Sequence, residues 1–161
     1  MTVIIASGKP KCWDKTVETV PTKASDVYTG TFHRLCRDYT KHFLTTETVL
    51  ILSPYYGLVE LDKVLTETYD VRFNASGINM NTIQASQLKA QWLKLKEPEQ
   101  SIYLFGGEKF IKVVKAFMTE DEANRVEYPL VGLGGIGYMQ QKMKLSLLAN
   151  EPFHNTKDKI M

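Results

Sequence analysis

Cysteine is scarce. Cys12 and Cys36 are the only two in 161 residues, and no CxxC spacing joins them. That excludes a disulfide-stapled scaffold. Long apolar runs are also missing. The opening Met1-Thr2-Val3-Ile4-Ile5-Ala6 turns polar at once, too short for a signal peptide or a membrane span. The expectation is a reduced, cytoplasmic protein with no membrane partner. Neither sign of charge dominates, with 20 basic residues against 18 acidic and a net charge of +2. Bulk charge is therefore too mild to establish nucleic-acid binding, and a local basic patch remains open. There is no internal repeat and no low-complexity tract. Hydrophobic residues make up 43% of the chain, enough for one domain with its own core. We expect that domain over residues 1–150, followed by a flexible tail over 151–161.

Four short apolar segments end in turn residues and read as strands buried on both faces. They are 3–6 before Ser7-Gly8, 49–52 before Ser53-Pro54, 102–105 before Gly106-Gly107, and 125–128 before Pro129. Helical stripes lie between and after them. One runs through Phe32, Leu35, Cys36, Tyr39 and Phe43, with Thr29 or Thr31 as its cap. A second joins Leu88, Trp92 and Leu95 behind Ser86. A third joins Phe110, Val113, Val114 and Phe117, and a fourth Ile136, Met139, Met143 and Leu147. The alternation predicts an α/β fold, three layers αβα around a four-stranded parallel sheet. Ligands of such sheets bind beyond the carboxyl ends of the strands. Residues 66–82 are polar and Asn-rich and read as a long loop.

Chemistry is sought in the loops. Ser7-Gly8-Lys9-Pro10-Lys11 follows the first strand and is either an anion cradle or a solvated turn. Asp26, Tyr28 and Arg34 flank the start of the first helix, where free amides favour phosphate; the alternative is a capped helix with its arginines in water. Tyr55 and Tyr56 follow the second strand and suit stacking on a planar ligand, or else packing on a neighbouring helix. Glu67 and Asp70 are carboxylates for water activation, or plain loop charges. Gly132-Leu133-Gly134-Gly135-Ile136-Gly137 fits GxGxxG, but no acidic residue on a following strand accompanies it. An anion-holding turn at Gly134 is the better reading. His33 and Cys36 share a helix, but Cys36 is on its apolar stripe; His42 and His154 have no ligand-spaced partners. No metal and no cofactor is expected.

Taken in order, these motifs are familiar. Ser7-Gly8-Lys9, then Asp26-Val27-Tyr28-Thr29-Gly30 with Phe32 and Arg34, then Ile51-Leu52-Ser53-Pro54-Tyr55-Tyr56-Gly57-Leu58, then Glu67 with Tyr69-Asp70, resemble a family of small phage and bacterial proteins. The chain is similar, more distantly, to the lysine-transferring domain of archaeosine synthase and to the uracil-DNA glycosylase fold. Ser7 stands where the family has cysteine, and Thr68 where it has proline. The glycosylase aspartate after the first strand is absent, as is the His-Pro-Ser segment.

The resemblance implies chemistry at a nucleobase or its N-glycosidic bond, most simply a DNA glycosylase for a modified base. Its partner would be nucleic acid or a nucleotide. Tyr28, Tyr55 and Tyr56 would hold the base, and Ser7, Gly8, Lys9, Lys11, Arg34 and Gly134 the phosphates. Asp70 or Asp26 would direct water. The alternatives are a phage-derived binding module without turnover, for nucleotide, nucleic acid or a host protein, and a transferase that places an amine on a base.

Overall fold

A computed structural model describes residues 1–45, 48–98 and 101–154. Its centre is β1 (Thr2–Ala6), buried along its whole length. Such a strand needs a neighbour on each edge and a layer on each face. β3 (Thr48–Ser53) and β6 (Ile102–Phe105) supply the edges, both parallel, with Ile4 opposite Leu50 and Leu104. β7 (Val126–Glu127) adds a fourth parallel strand beside β6. The expected parallel strands are therefore all present, although Arg125 ends a helix and the last strand is only Val126–Glu127.

A fifth strand, β4 (Gly57–Glu60), was not expected. It returns antiparallel along β3, giving the order β4-β3-β1-β6-β7. The turn needs Gly57, whose φ of +78° is left-handed and whose missing Cβ would lie 2.2 Å from Gln91 Oε1. Gln91 fills that space. Its Oε1 accepts from the Leu58 amide at 2.8 Å, and its Nε2 donates to the Tyr56 carbonyl at 2.9 Å. A two-stranded antiparallel ribbon, β2 (Thr22–Lys23) with β5 (Val64–Leu65), lies apart from the main sheet.

Alternation along β1 sorts the core into two faces. Ile4 points with Leu50, Leu52 and Leu104 toward Leu88 and Trp92 of α3 (Ala85–Leu95) and Val113 and Phe117 of α4 (Lys109–Phe117). Val3 and Ile5 point with Phe105 toward Leu35 and Tyr39 of α2 (Thr31–Phe43) and Met139 and Met143 of α6 (Ile136–Ala149). Short helices α1 (Ala24–Val27) and α5 (Glu120–Arg125) and a 3-10 turn over Cys12–Lys15 complete the set. No helix among the described residues is long and apolar enough to cross a membrane.

Two expected caps are replaced. Gly30 caps α2 without a side-chain bond, so neither Thr29 nor Thr31 performs that role. Gln84 caps α3 in a reciprocal pair with Gln87, and Ser86 falls inside the first turn.

Of the segment expected to be a tail, residues 155–161 lie outside the described residues, but Phe153 is buried in the core. Asn150 ends α6 in a left-handed turn at φ 55° and sends the chain back. The fully buried Tyr39 hydroxyl then accepts from the amides of Phe153 at 2.8 Å and His154 at 3.1 Å, and pairs with His154 Nδ1 at 2.7 Å. Tyr39→Phe strands a buried amide and is expected to cost about 1–3 kcal/mol in urea unfolding, with proteolysis beginning near residue 150. An unchanged midpoint and cleavage pattern would show that the return is not held by this hydroxyl.

Candidate active site

The carboxyl ends of β1 and β6 open into a hollow of about 370 Å³. Its inner wall is apolar. Phe32 comes from α2, Phe110 from α4, Ile136 and Met139 from α6, and Phe73 from the long loop. Its rim is charged. Lys9 and Lys11 come from the loop after β1, Arg72 from the long loop and Lys109 from α4, with Asp70 as the one carboxylate. Gly8 turns the first loop at φ +77°, a conformation costly for other residues, directly over the His33 side chain.

The long loop crosses the strand ends as a strap, and hydroxyls hold it there. Ser53 Oγ accepts from the amides of Tyr55 at 3.2 Å and Tyr56 at 3.0 Å. With both lone pairs engaged, its proton goes to Tyr69 Oη at 2.7 Å. Tyr69 Oη also pairs with Tyr28 Oη at 2.8 Å. The Tyr69 ring stacks on Tyr55, with centroids 5.0 Å apart and planes 17° from parallel. Glu67 extends the clamp. It takes the Tyr55 hydroxyl on Oε2 at 2.7 Å, and its backbone exchanges two bonds with the Tyr56 hydroxyl at 2.7 and 2.8 Å. At the far end Lys109 Nζ donates to the Phe73 carbonyl at 3.1 Å.

The sequence-predicted residues divide on this geometry. Ser7, Gly8, Lys9, Lys11 and Asp70 line one hollow, as expected for a shared site. Tyr55 and Tyr56 do not line it; their hydroxyls clamp the strap, and aromatic surface inside comes from Phe32, Phe73 and Phe110. Tyr28 is buried beneath the strap, bonded to Tyr69. Asp26 is exposed on α1, where its charge acts on Arg37. Arg34 is exposed on α2 and absent from the lining. Gly134 also lies outside it, its φ of +107° shaping the turn that leads to Ile136. Arg72 and Lys109 carry no role in the motifs, and Tyr69 stands there without one. Arg72 and Tyr69 stand beside the Asp70 already singled out, which was the available signal; Lys109 had only its place after Gly106-Gly107.

Burial sets the protonation states. It lowers the Lys11 ammonium, against the pull of Asp14 and Asp70. It lowers Lys109 as well, helped by Arg72. It raises Tyr28 and Tyr69, so both phenols stay neutral, although hydrogen bonds from Ser53 and Tyr28 oppose the rise at Tyr69. Burial also raises the Cys36 thiol and leaves it unreactive. No cluster of three or more metal-ligating side chains exists among the described residues.

A match to a protein-family model covers residues 11–145, described as a family of unknown function (DUF6884). The chain belongs to the DUF6884 family. It is also 31% identical over 141 residues to the uncharacterized protein YfjM of Bacillus subtilis (strain 168), an alignment that covers 87% of this chain and 90% of that protein. No solved structure matches it. Within the DUF6884 match fall Lys11, Asp70, Arg72, Lys109 and the aromatic wall, while Ser7, Gly8 and Lys9 precede it.

His33 ties this site to acid stability. Its Nδ1 lies 2.9 Å from the Ala6 carbonyl, which can only accept, so Nδ1 carries the proton. Its buried Nε2 has no hydrogen-bond partner among the described residues. Burial depresses its pKa from 6.5 to about 4, against the Ala6 bond and with help from Arg37. The unfolded chain therefore binds the extra proton first. The associated stability is complete above pH 6.5 and falls as pH drops toward 4, by up to about 3 kcal/mol. Glu122 adds a separate loss at lower pH. Burial alone would raise it, but the Thr119 amide and Lys96 hold it at about 2. Urea unfolding across this range should show the slope in the parent and lose its upper part in His33→Asn. Parallel profiles for the two would remove His33 from the account.

Proposed function

We propose that this protein is a nucleobase-directed enzyme, a DNA glycosylase that hydrolyses the N-glycosidic bond of a modified base. One observation supports the reading above all: an aromatic hollow at the strand ends carries four cationic side chains and a single carboxylate at its rim. A base is a flat, largely apolar plate with polar edges, and Phe32, Phe73 and Phe110 offer it a matching slot. The sugar-phosphate would remain at the rim, where Lys9, Lys11, Arg72 and Lys109 neutralise its charge. Breaking the C–N bond sends its electron pair to the base and leaves positive charge on the sugar. The Asp70 carboxylate would stabilise that charge and take a proton from the water that adds to the anomeric carbon. We read the four parallel strands as a uracil-DNA-glycosylase-like sheet to which β4 adds an edge, and we place the protein in the cytoplasm.

A second reading is a module of phage origin that binds a nucleotide, nucleic acid or a host protein without turnover. It is favoured by the exposure of Asp70. Duplex and single-stranded DNA carrying a panel of modified bases separates the two. An enzyme yields alkali-labile abasic sites, and Asp70→Asn lowers the rate by about 100-fold or more while retaining binding. Binding without product in the parent assigns the module instead. In either case affinity should fall steeply with added salt, because the rim cations displace counterions from phosphate. A flat salt response would rule out phosphate as their ligand.

A further inference from the structure

We infer that the ligand is a phosphodiester-linked chain, with Lys11 holding the phosphate that joins two successive units. This rests on the nucleotide reading above and specifies its substrate. Lys11 is only 6% exposed, unusual for a residue whose charge is strongly hydrated. Its ammonium donates to the Lys9 carbonyl at 2.9 Å and lies 4.2 Å from the centre of the Tyr69 ring. Among the described residues no carboxylate oxygen comes within 4.0 Å of it; the one ion pair at that distance is Lys96 with Glu122. Asp14, its near neighbour, commits Oδ2 to the Lys11 backbone amide at 2.9 Å. Asp14 and Asp70 stand near enough to steady this cation without pairing with it directly, so its remaining N–H donors are open to an anionic ligand.

The position of Lys11 narrows that ligand. It stands on a divide between two hollows. One is the aromatic hollow. The other, of about 470 Å³, is lined on its own side by Asp14, Thr68 and Tyr69. Lys9, Lys11 and Asp70 border both. A mononucleotide with its base among the phenylalanines sets its phosphate on Lys11 and ends there, leaving the second hollow to water. A chain continues across the divide, and its next base meets the hydroxyl of Thr68 and the carboxylates of Asp14 and Asp70, which accept from base amino groups. An anion site shared by two cavities suits a linkage better than a terminus.

Calorimetric titration of the full chain tests this with the four deoxynucleoside 5′-monophosphates and with a short random-sequence single strand. The strand should bind at least about tenfold tighter than any monophosphate. Thr68→Phe, placed at an exposed position, fills the second hollow. It should erase the strand's advantage and leave monophosphate affinity as in the parent, whereas Lys11→Met should weaken both. Monophosphates binding as tightly as the strand would overturn the inference, as would Thr68→Phe weakening both ligands equally; the nucleotide reading survives either result. Binding of neither ligand class overturns both. Should Thr68→Phe lose its native melting transition, the comparison in the parent protein decides alone.

Discussion

Everything at the strand ends depends on where one serine proton goes. Ser53 closes the turn after β3 by accepting two backbone amides, so the only way left to satisfy its hydroxyl hydrogen is outward, to Tyr69. That bond fixes the phenol of a residue in the middle of an otherwise irregular loop. Tyr28 secures the same oxygen from beneath, and Tyr55 covers the ring. A loop without helix or strand of its own thereby gains a rigid midpoint. Asp70, Arg72 and Phe73 follow within four residues of it, so the carboxylate, one cation and part of the aromatic wall inherit their positions from a single hydroxyl chain. The turn that starts the chain is itself part of the sheet, which makes the site an extension of the core.

The hollow combines two surfaces that ordinarily separate. Apolar side chains gather because water rejects them, and ammonium groups spread because they repel one another and prefer water. Here Lys11 and Lys109 are both drawn partly out of water, and both show the cost as a lowered affinity for their protons. Each is steadied by a backbone carbonyl, of Lys9 and of Phe73, and by an aromatic face, of Tyr69 and of Phe110. Carbonyls and rings position a cation without cancelling its charge. The rim is thus arranged to keep positive potential available beside a dry wall, the condition under which electrostatic contacts to a ligand are strongest.

How much of this was legible in the sequence follows from the range of the forces involved. Parallel strands show as short apolar runs because burial on both faces removes any alternation, and the helices beside them show as stripes; the central sheet was accordingly readable. β4 was not, because Gly57-Leu58 reads as the close of a turn until Gln91, far along the chain, is known to fill the space its glycine leaves. Among site residues, those on the first loop were readable, since topology alone puts them at a strand end. The placement of the tyrosines is not legible for a different reason. Aromatic rings in a strand-end loop look the same whether they face a ligand or another ring, and the choice was made by Tyr69 and Glu67, which sequence spacing does not aim. Asp26 and Arg34 were close in sequence to the helix start, but helical rotation turns them to solvent.

Gln91 has a wider effect than filling the turn. A strand at the border of a sheet normally offers its spare amides and carbonyls to any passing chain of suitable register. On the β4 side a carboxamide, carrying both a donor and an acceptor, engages the Leu58 amide and the Tyr56 carbonyl in the manner of a single residue of a sixth strand. The opposite border, β7, is only two residues long. The molecule therefore meets its surroundings with one flank already answered by a side chain and the other too brief to recruit a companion, which protects a glycine-opened margin from intermolecular pairing.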